Sequence, residues 1–406
     1  MALNGNKGRA LPTVPRPVRE IPAPARQSEG EGAPPRGGPI RGWVRGQQKL
    51  FEQVDRALRE DRLGHSYLLL GPSGAGKLRT ALALAQQLLC EDDAALTAGG
   101  AGCGCCPACE RVQRLVHPDL HILVPLIKDD AEDDAARALA SYAADPLGIL
   151  ERTPRSSIGI DRVRRLKEEA AKARIEASRR VAIISGAERM TEQAAQAALK
   201  LIEEPPPQTV LFLTAEDAAQ LLPTILSRCQ RLALRLLPRE EIIAVLEEAG
   251  EAPASARLLA ALSGGALGRA LALRGAGLLG LRRAMADTFG CATEGLKPGE
   301  VERRVQALER SGSLDSLVAI AQLLLLWYED LLRASCGLPA DRLNHADLAG
   351  EAARQGALLG APEIGRRVRI VEEMLRALQQ NVNPGLAASA ALSRIGALPG
   401  EIGWAL

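Results

Sequence analysis

Aromatic side chains are scarce: Trp, Tyr and Phe together make up 2% of the 406 residues. A core without them must be aliphatic and alanine-rich. That favours helices, because alanine and leucine head the helix-propensity scale. The scarcity also argues against a stacking platform for single-stranded nucleic acid, which needs rings to receive the bases. An excess of one charge is missing too. The 51 basic and 49 acidic side chains leave a net charge of +2, so nothing global draws the chain to a polyanion. Any DNA contact would have to be local or shared with partners. Long apolar runs are absent as well. The longest lies near Leu317–Tyr328 and is interrupted by Gln322, whereas a bilayer takes about 20 apolar residues. Nothing near the first residue resembles a signal peptide. These absences describe a soluble, cytoplasmic protein with no membrane partner. Its cysteines are then reduced, and clustered ones point to metal before disulfide.

What is present divides the chain. Its length suggests two or three domains, and 47% apolar residues supply a sizeable core. Residues 1–40 hold 8 of the 25 prolines, with glycines and charges between them. Such a segment buries too little to offset ordering and reads as a disordered tail. Over residues 41–237 short apolar runs alternate with helical stretches. The runs are Ser66–Leu70, Val181–Ile184 and Val210–Leu213. Buried strands separated by helices indicate a parallel α/β sheet. After Pro238 the strand signal stops. Residues 238–277 read as a small helical lid broken at Gly264-Gly265, and residues 278–406 as a helical domain. The expected fold class is α/β followed by all-α.

Two motifs carry chemistry. Gly71-Pro72-Ser73-Gly74-Ala75-Gly76-Lys77 has the spacing of a phosphate-binding loop, follows an apolar strand and opens a helix. Its glycines let backbone amides turn toward phosphate oxygens, and Lys77 would reach the outer phosphates. The next residue should be Ser or Thr, to ligate magnesium, but is Leu78. The second magnesium anchor is normally an Asp at the end of a later strand. Ser185-Gly186 stand where an Asp-Glu pair would be, and Glu188 lies too far along to replace them. No magnesium site and no hydrolysis are expected, and ATP binding is left open. The second motif is Cys103-Gly104-Cys105-Cys106-Pro107-Ala108-Cys109, with Cys90 upstream. Cys90, Cys103, Cys106 and Cys109 can supply the four thiolates of a closed, structural zinc site, leaving Cys105 over. His117 and His121 are nearby but fit a loop or core role better.

The pieces occur in the order of a known family. They are Gly46-Gln47, His65 to Pro72, the cysteine cluster followed by His117-Pro118-Asp119, Ile158 to Arg164, Ala197 to Pro206, and Leu221 to Cys229. Trp327 to Asp330 and Asn381 to Pro384 are weaker matches. On these residues the chain resembles the bacterial DNA polymerase III clamp loader, most closely its delta-prime subunits, over about residues 43–390. The resemblance implies an AAA+ domain with a zinc module at about 90–110, a lid, and a C-terminal collar that holds a hetero-oligomeric ring together. It implies gamma/tau and delta subunits as partners, and the sliding clamp and primer-template DNA through the complex. By position, Arg228, flanked by Ser227 and Cys229, is the arginine given in trans to a neighbour's ATP. Arg269 is the lid arginine that faces the chain's own nucleotide. The implied function is a non-hydrolysing ring member in DNA replication. The alternatives are an active gamma/tau-type ATPase and an AAA+ adaptor outside replication.

Overall fold

A computed structural model describes residues 38–92, 100–127, 132–144, 156–274, 314–379 and 382–396, with Arg282, Met285 and Arg303 besides. Most of the segment read as a tail, and Asn381 of the last motif, lie outside the described residues.

Helix α1 (Gln48–Arg59) buries Leu50, Phe51 and Val54 along one face. Strand β1 (Ser66–Leu70) runs into the phosphate loop, and α2 (Lys77–Leu89) begins at its last residue. The cysteine segment ends in α3 (Pro107–Gln113), which leads to β2 (Leu120–Leu123). After α4 (Glu132–Ala144) come α5 (Ile160–Ala171) and β3 (Arg180–Ser185). Then follow α6 (Glu192–Glu203), β4 (Thr209–Ala215), the short α7 (Pro223–Leu226) and β5 (Gln230–Ala233).

The five strands form one parallel sheet in the order β2-β3-β4-β1-β5. Tyr67 pairs with Phe212 in register and their rings stack at 5.5 Å. One face packs on α1 and α2 through Leu69, Leu82, Ile183 and Phe212. The other packs on α5 and α6 through Leu68, Leu166, Ile184 and Leu201. Because both faces are covered, the inner strands read as unbroken apolar runs, as the sequence suggested. The two strands without such a run, β2 and β5, are the sheet's edges. In β5 only Leu232 is buried, which hides it from an apolar-run search.

Beyond β5 no further strand occurs among the described residues. Helices α8 (Arg239–Glu248), α9 (Pro253–Ser263) and α10 (Leu267–Arg274) occupy the segment read from the sequence as a lid. Helix α11 (Leu314–Ser335) packs on α12 (Ala349–Gln379), which is broken at Gly360, two residues before Pro362, and α12 on α13 (Pro384–Gly396). Ile242, Leu246 and Leu259 of the lid share one apolar cluster with Ile320, Leu331, Val371 and Leu392 of these helices. At the centre, buried Asp330 accepts from the Asn344 and His345 amides at 2.8 and 2.7 Å and meets His345 Nδ1 at 2.8 Å. Trp327 Nε1 donates to Gln355. The Trp327–Asp330 motif is thus a folding element of the helical region. Asn383 serves the same end, its Oδ1 accepting from Leu386 N at the start of α13.

Candidate functional site

The phosphate loop is held from two sides. Gly74 and Gly76 take φ of +79° and +88°, which side chains rarely allow. Lys77 is buried, and its ammonium donates to the carbonyls of Gly71 at 2.5 Å and Pro72 at 2.8 Å. The lid then closes on the loop backbone to backbone. Gly268 N donates to Gly74 O at 2.8 Å. A Cβ on Gly74 would lie 2.5 Å from Arg269 N, and one on Gly268 2.8 Å from Gly74 O. Arg269 therefore meets the loop through its main chain, and its side chain is exposed. Gly71 and Ser73 complete the loop.

The residues expected to carry magnesium are occupied otherwise. Leu78 is part of the sheet core. The next hydroxyl, on Thr80, donates back to Gly76 O at 3.0 Å. Ser185 is fully buried at the end of β3. Gly186 has φ of +75°, and its N–H donates to Thr214 Oγ1 at 2.9 Å. Glu188 sits on a 3-10 turn, Ala187–Arg189, with one carboxylate oxygen buried and unpartnered among the described residues.

The cysteine cluster is complete. The sulfurs of Cys90, Cys103, Cys106 and Cys109 all lie within 4.8 Å of one another. Cys90 Sγ is 3.6 Å from Cys103 and 4.0 Å from Cys106, and Cys103 is 3.9 Å from Cys109. A tetrahedron with metal–sulfur bonds of about 2.3 Å has sulfurs about 3.8 Å apart, so the four can hold one metal ion. Backbone amides of Asp92 and Cys103 donate to Cys90, Cys106 N to Cys103, and Cys109 N to Cys106. Burial would raise the Cys103 thiol, but the Cys105 and Cys106 amides and neighbouring thiols bring it down to about 6. Burial pushes Cys90 and Cys109 up. Four thiols at one point cannot all ionise unaided, and a cation between them removes that conflict. Cys105 is exposed. Neither histidine joins the group: burial lowers the pKa of both, and His117 Nδ1 accepts from Asp119 N at 3.1 Å.

The module also seats the first described residues, a contact the sequence reading missed. Fully buried Gln86 of α2 accepts from Ile40 N at 2.7 Å and donates to Cys109 O at 3.2 Å. Gln113 Nε2 donates to Gly38 O at 2.9 Å and to Gly104 O at 3.0 Å. Gly104, at φ of +75°, lies so close that a Cβ would come within 2.4 Å of Pro39 N.

Arg228 lies between α7 and β5. Its Nε donates to Glu203 Oε1 at the end of α6, and its Nη1 to Thr224 O at 3.1 Å and Ser227 Oγ at 3.2 Å. Burial pushes the Cys229 thiol up to about 11, so it is chemically quiet. In the register of β1 with β5, Tyr67 faces Gln230 and Leu70 faces Ala233. Arg228 is thus level with His65, at the amino end of the sheet, while the phosphate loop leaves the carboxyl end. The five residues of β1 lie between them, six steps of the chain or roughly 20 Å at about 3.3 Å per residue. The arginine and the loop of one chain do not share a site.

A phosphate loop between β1 and α2 of a parallel sheet in this order is the frame of a P-loop nucleotide-binding module. Residues 46–238 match the model of the family described as DNA polymerase III, delta subunit. The same region is similar to the DNA polymerase III subunit delta' of Bacillus subtilis, at 34% identity over 53% of this chain and 55% of that one. The delta' subunit of Pseudomonas aeruginosa is 35% identical over 57% of this chain and 61% of its own. DNA polymerase III subunit gamma/tau of Mycobacterium bovis is 29% identical over 50% and 30% respectively. Residues 46–238 are thus similar to the DNA polymerase III clamp-loader subunits. The chain spans little more than half the length of the delta' relatives it matches. No described helix is long and apolar enough to cross a membrane.

Proposed function

We propose that this chain is a delta-prime-like subunit of the clamp loader, a ring member that hydrolyses no ATP and supplies Arg228 to the ATP of an adjoining subunit. What carries the proposal is the placement of Arg228. It stands at the end of the sheet opposite its own phosphate loop, so it can serve only a nucleotide on another chain. The loop supports the same conclusion. Leu78, Ser185 and Gly186 leave no protein ligand for magnesium and no base for water. Lys77 is turned onto its own loop, and the lid backbone is bonded to Gly74, so the loop is satisfied from within the chain. A guanidinium delivered in trans neutralises charge developing on a transferring phosphoryl group. The cysteine cluster holds structural zinc, since four thiolates close a tetrahedral sphere and leave no open position for water or a substrate. The partners are gamma/tau-type ATPases and a delta subunit, with the sliding clamp and primed DNA reached through the complex, in the bacterial cytoplasm.

Reconstitution with the other loader subunits tests this. Arg228→Ala should leave ring assembly intact and lower DNA- and clamp-stimulated ATP hydrolysis, by about 10³ or more at the one site served. Arg228→Lys should rescue poorly, because an ammonium lacks the planar two-point contact. Normal stimulated hydrolysis in an assembled Arg228→Ala ring would remove the proposed role. Magnesium-dependent turnover by the isolated chain would instead make it an active gamma/tau-type ATPase. Failure to co-purify with any loader subunit would make it an adaptor outside replication.

A further inference from the structure

The guanidinium of Arg228 does not stand free. Of its three nitrogens, Nε and Nη1 are engaged, by Glu203 Oε1, Thr224 O and Ser227 Oγ. Nε has one hydrogen and Nη1 two, so these three contacts use every hydrogen on those two atoms. Nη2 has no hydrogen-bond partner among the described residues. The group opens on a cleft of 320 Å³ lined by Gly64, His65, Ser66, Ile202, Glu203 and Gln230. Two of the three acceptors, Thr224 O and Ser227 Oγ, lie within four residues of Arg228 in the chain. Glu203 comes from another helix, 25 residues away in sequence. It is the contact that fixes the long side chain against rotation about its outer bonds.

We infer that Glu203 is a positioning residue for Arg228: by accepting from Nε it turns the Nη2 end outward, toward the phosphoryl group of the adjoining subunit's ATP. This rests on the trans role proposed above. The contact is a hydrogen bond first and a charge second. Both side chains are more than a third exposed, where solvent screens the ion pair, and a carboxylate beside a phosphate gains nothing from its charge. An amide oxygen in the same place would hold Nε equally well. Fixing the arginine before the phosphoryl group arrives removes an ordering cost from the transition state, so the effect falls on turnover rather than on ATP affinity.

The test uses the full chain reconstituted into the loader, with assembly checked by gel filtration and folding by thermal melting. Glu203→Ala should lower kcat for clamp- and DNA-stimulated hydrolysis by about two- to fivefold, the size of an exposed pair, at unchanged KM. Glu203→Gln should restore at least wild-type turnover, because its Oε1 still accepts from Nε. In an Arg228→Ala background, Glu203→Ala should cause no further loss. A higher kcat in Glu203→Ala would make the carboxylate a restraint rather than a guide and overturn the inference. So would Glu203→Gln falling as low as Glu203→Ala. An unaffected Arg228→Ala ring would instead defeat the trans role itself, and a sensitive Arg228→Ala ring beside an indifferent Glu203→Ala ring would defeat the positioning role alone.

Discussion

The phosphate loop and the cysteine cluster are neighbours, one at the start of α2 and the other beginning at its end, and they have fared in opposite ways. The loop has the backbone of a nucleotide site, with its left-handed glycines and its lysine, but Leu78, Ser185 and Gly186 where the sequence analysis looked for magnesium ligands and a base. The lysine has turned to the loop's own carbonyls, and the lid is bonded to Gly74. The cluster keeps all four sulfurs at the separations a tetrahedral ion requires. A phosphate loop without ligand can satisfy itself with carbonyls and a neighbouring helix. Four thiolates cannot satisfy one another, because each ionisation opposes the next. A loop bonded to itself needs no ligand to satisfy its polar groups, whereas four thiolates at one point need a cation.

The largest expected effect falls on the cluster. Cys106→Ser should release the zinc, and because metal binding is coupled to folding of such a module, on the order of 10 kcal/mol is at stake. Elemental analysis and urea unfolding, with and without a chelator, read this directly. A protein equally stable without metal would put the two sites on the same footing. Zinc should also leave more readily at pH 5 than at pH 8. Metal binds thiolate, protons compete for it, and Cys103, at about 6, is mostly protonated at pH 5.

A smaller effect is expected where the lid meets the loop. Gly268→Ala places a methyl group 2.8 Å from Gly74 O and should cost about 1–3 kcal/mol of stability through overpacking. It should give no magnesium-dependent ATPase, since prying the lid away restores none of the missing ligands. Turnover in this variant would show that the lid, and not Leu78, Ser185 and Gly186, silences the site. Lys77→Ala removes two hydrogen bonds to the loop and should cost about 1–2 kcal/mol. Magnesium-ATP should raise the melting temperature of neither wild type nor variant, whereas a live phosphate loop would show a ligand shift lost on substitution. The smallest effect is expected at Cys105→Ser, where one zinc per chain should remain.

The sequence made the inner strands, the loop and the four clustered cysteines legible, because each is a local pattern: an apolar run, a glycine spacing, a cysteine spacing. The edge strands β2 and β5 were not legible. One short edge carries His121 and the other buries a single leucine, so neither shows a buried run. Contacts between distant segments also left no local trace. Gly268 reads as an ordinary lid glycine until Gly74 is placed against it, and Gln86 and Gln113 read as polar surface until residues 38–40 lie over them. Glu203 belongs to a motif that the sequence analysis singled out, yet its link to Arg228 spans 25 residues and appears only when α6 and β5 are set side by side.

The seating of Gly38, Pro39 and Ile40 on the cysteine module fixes an address. Ile40 joins the core layer on the α1 and α2 face of the sheet. Ile225, three residues before Arg228, joins the layer on the opposite face. Gly38 thus sits against the cysteine module on the α1 and α2 side of the sheet. A fluorophore attached at residue 38 should change its mobility when a chelator strips the metal, which makes this position a convenient place from which to watch the module hold or let go.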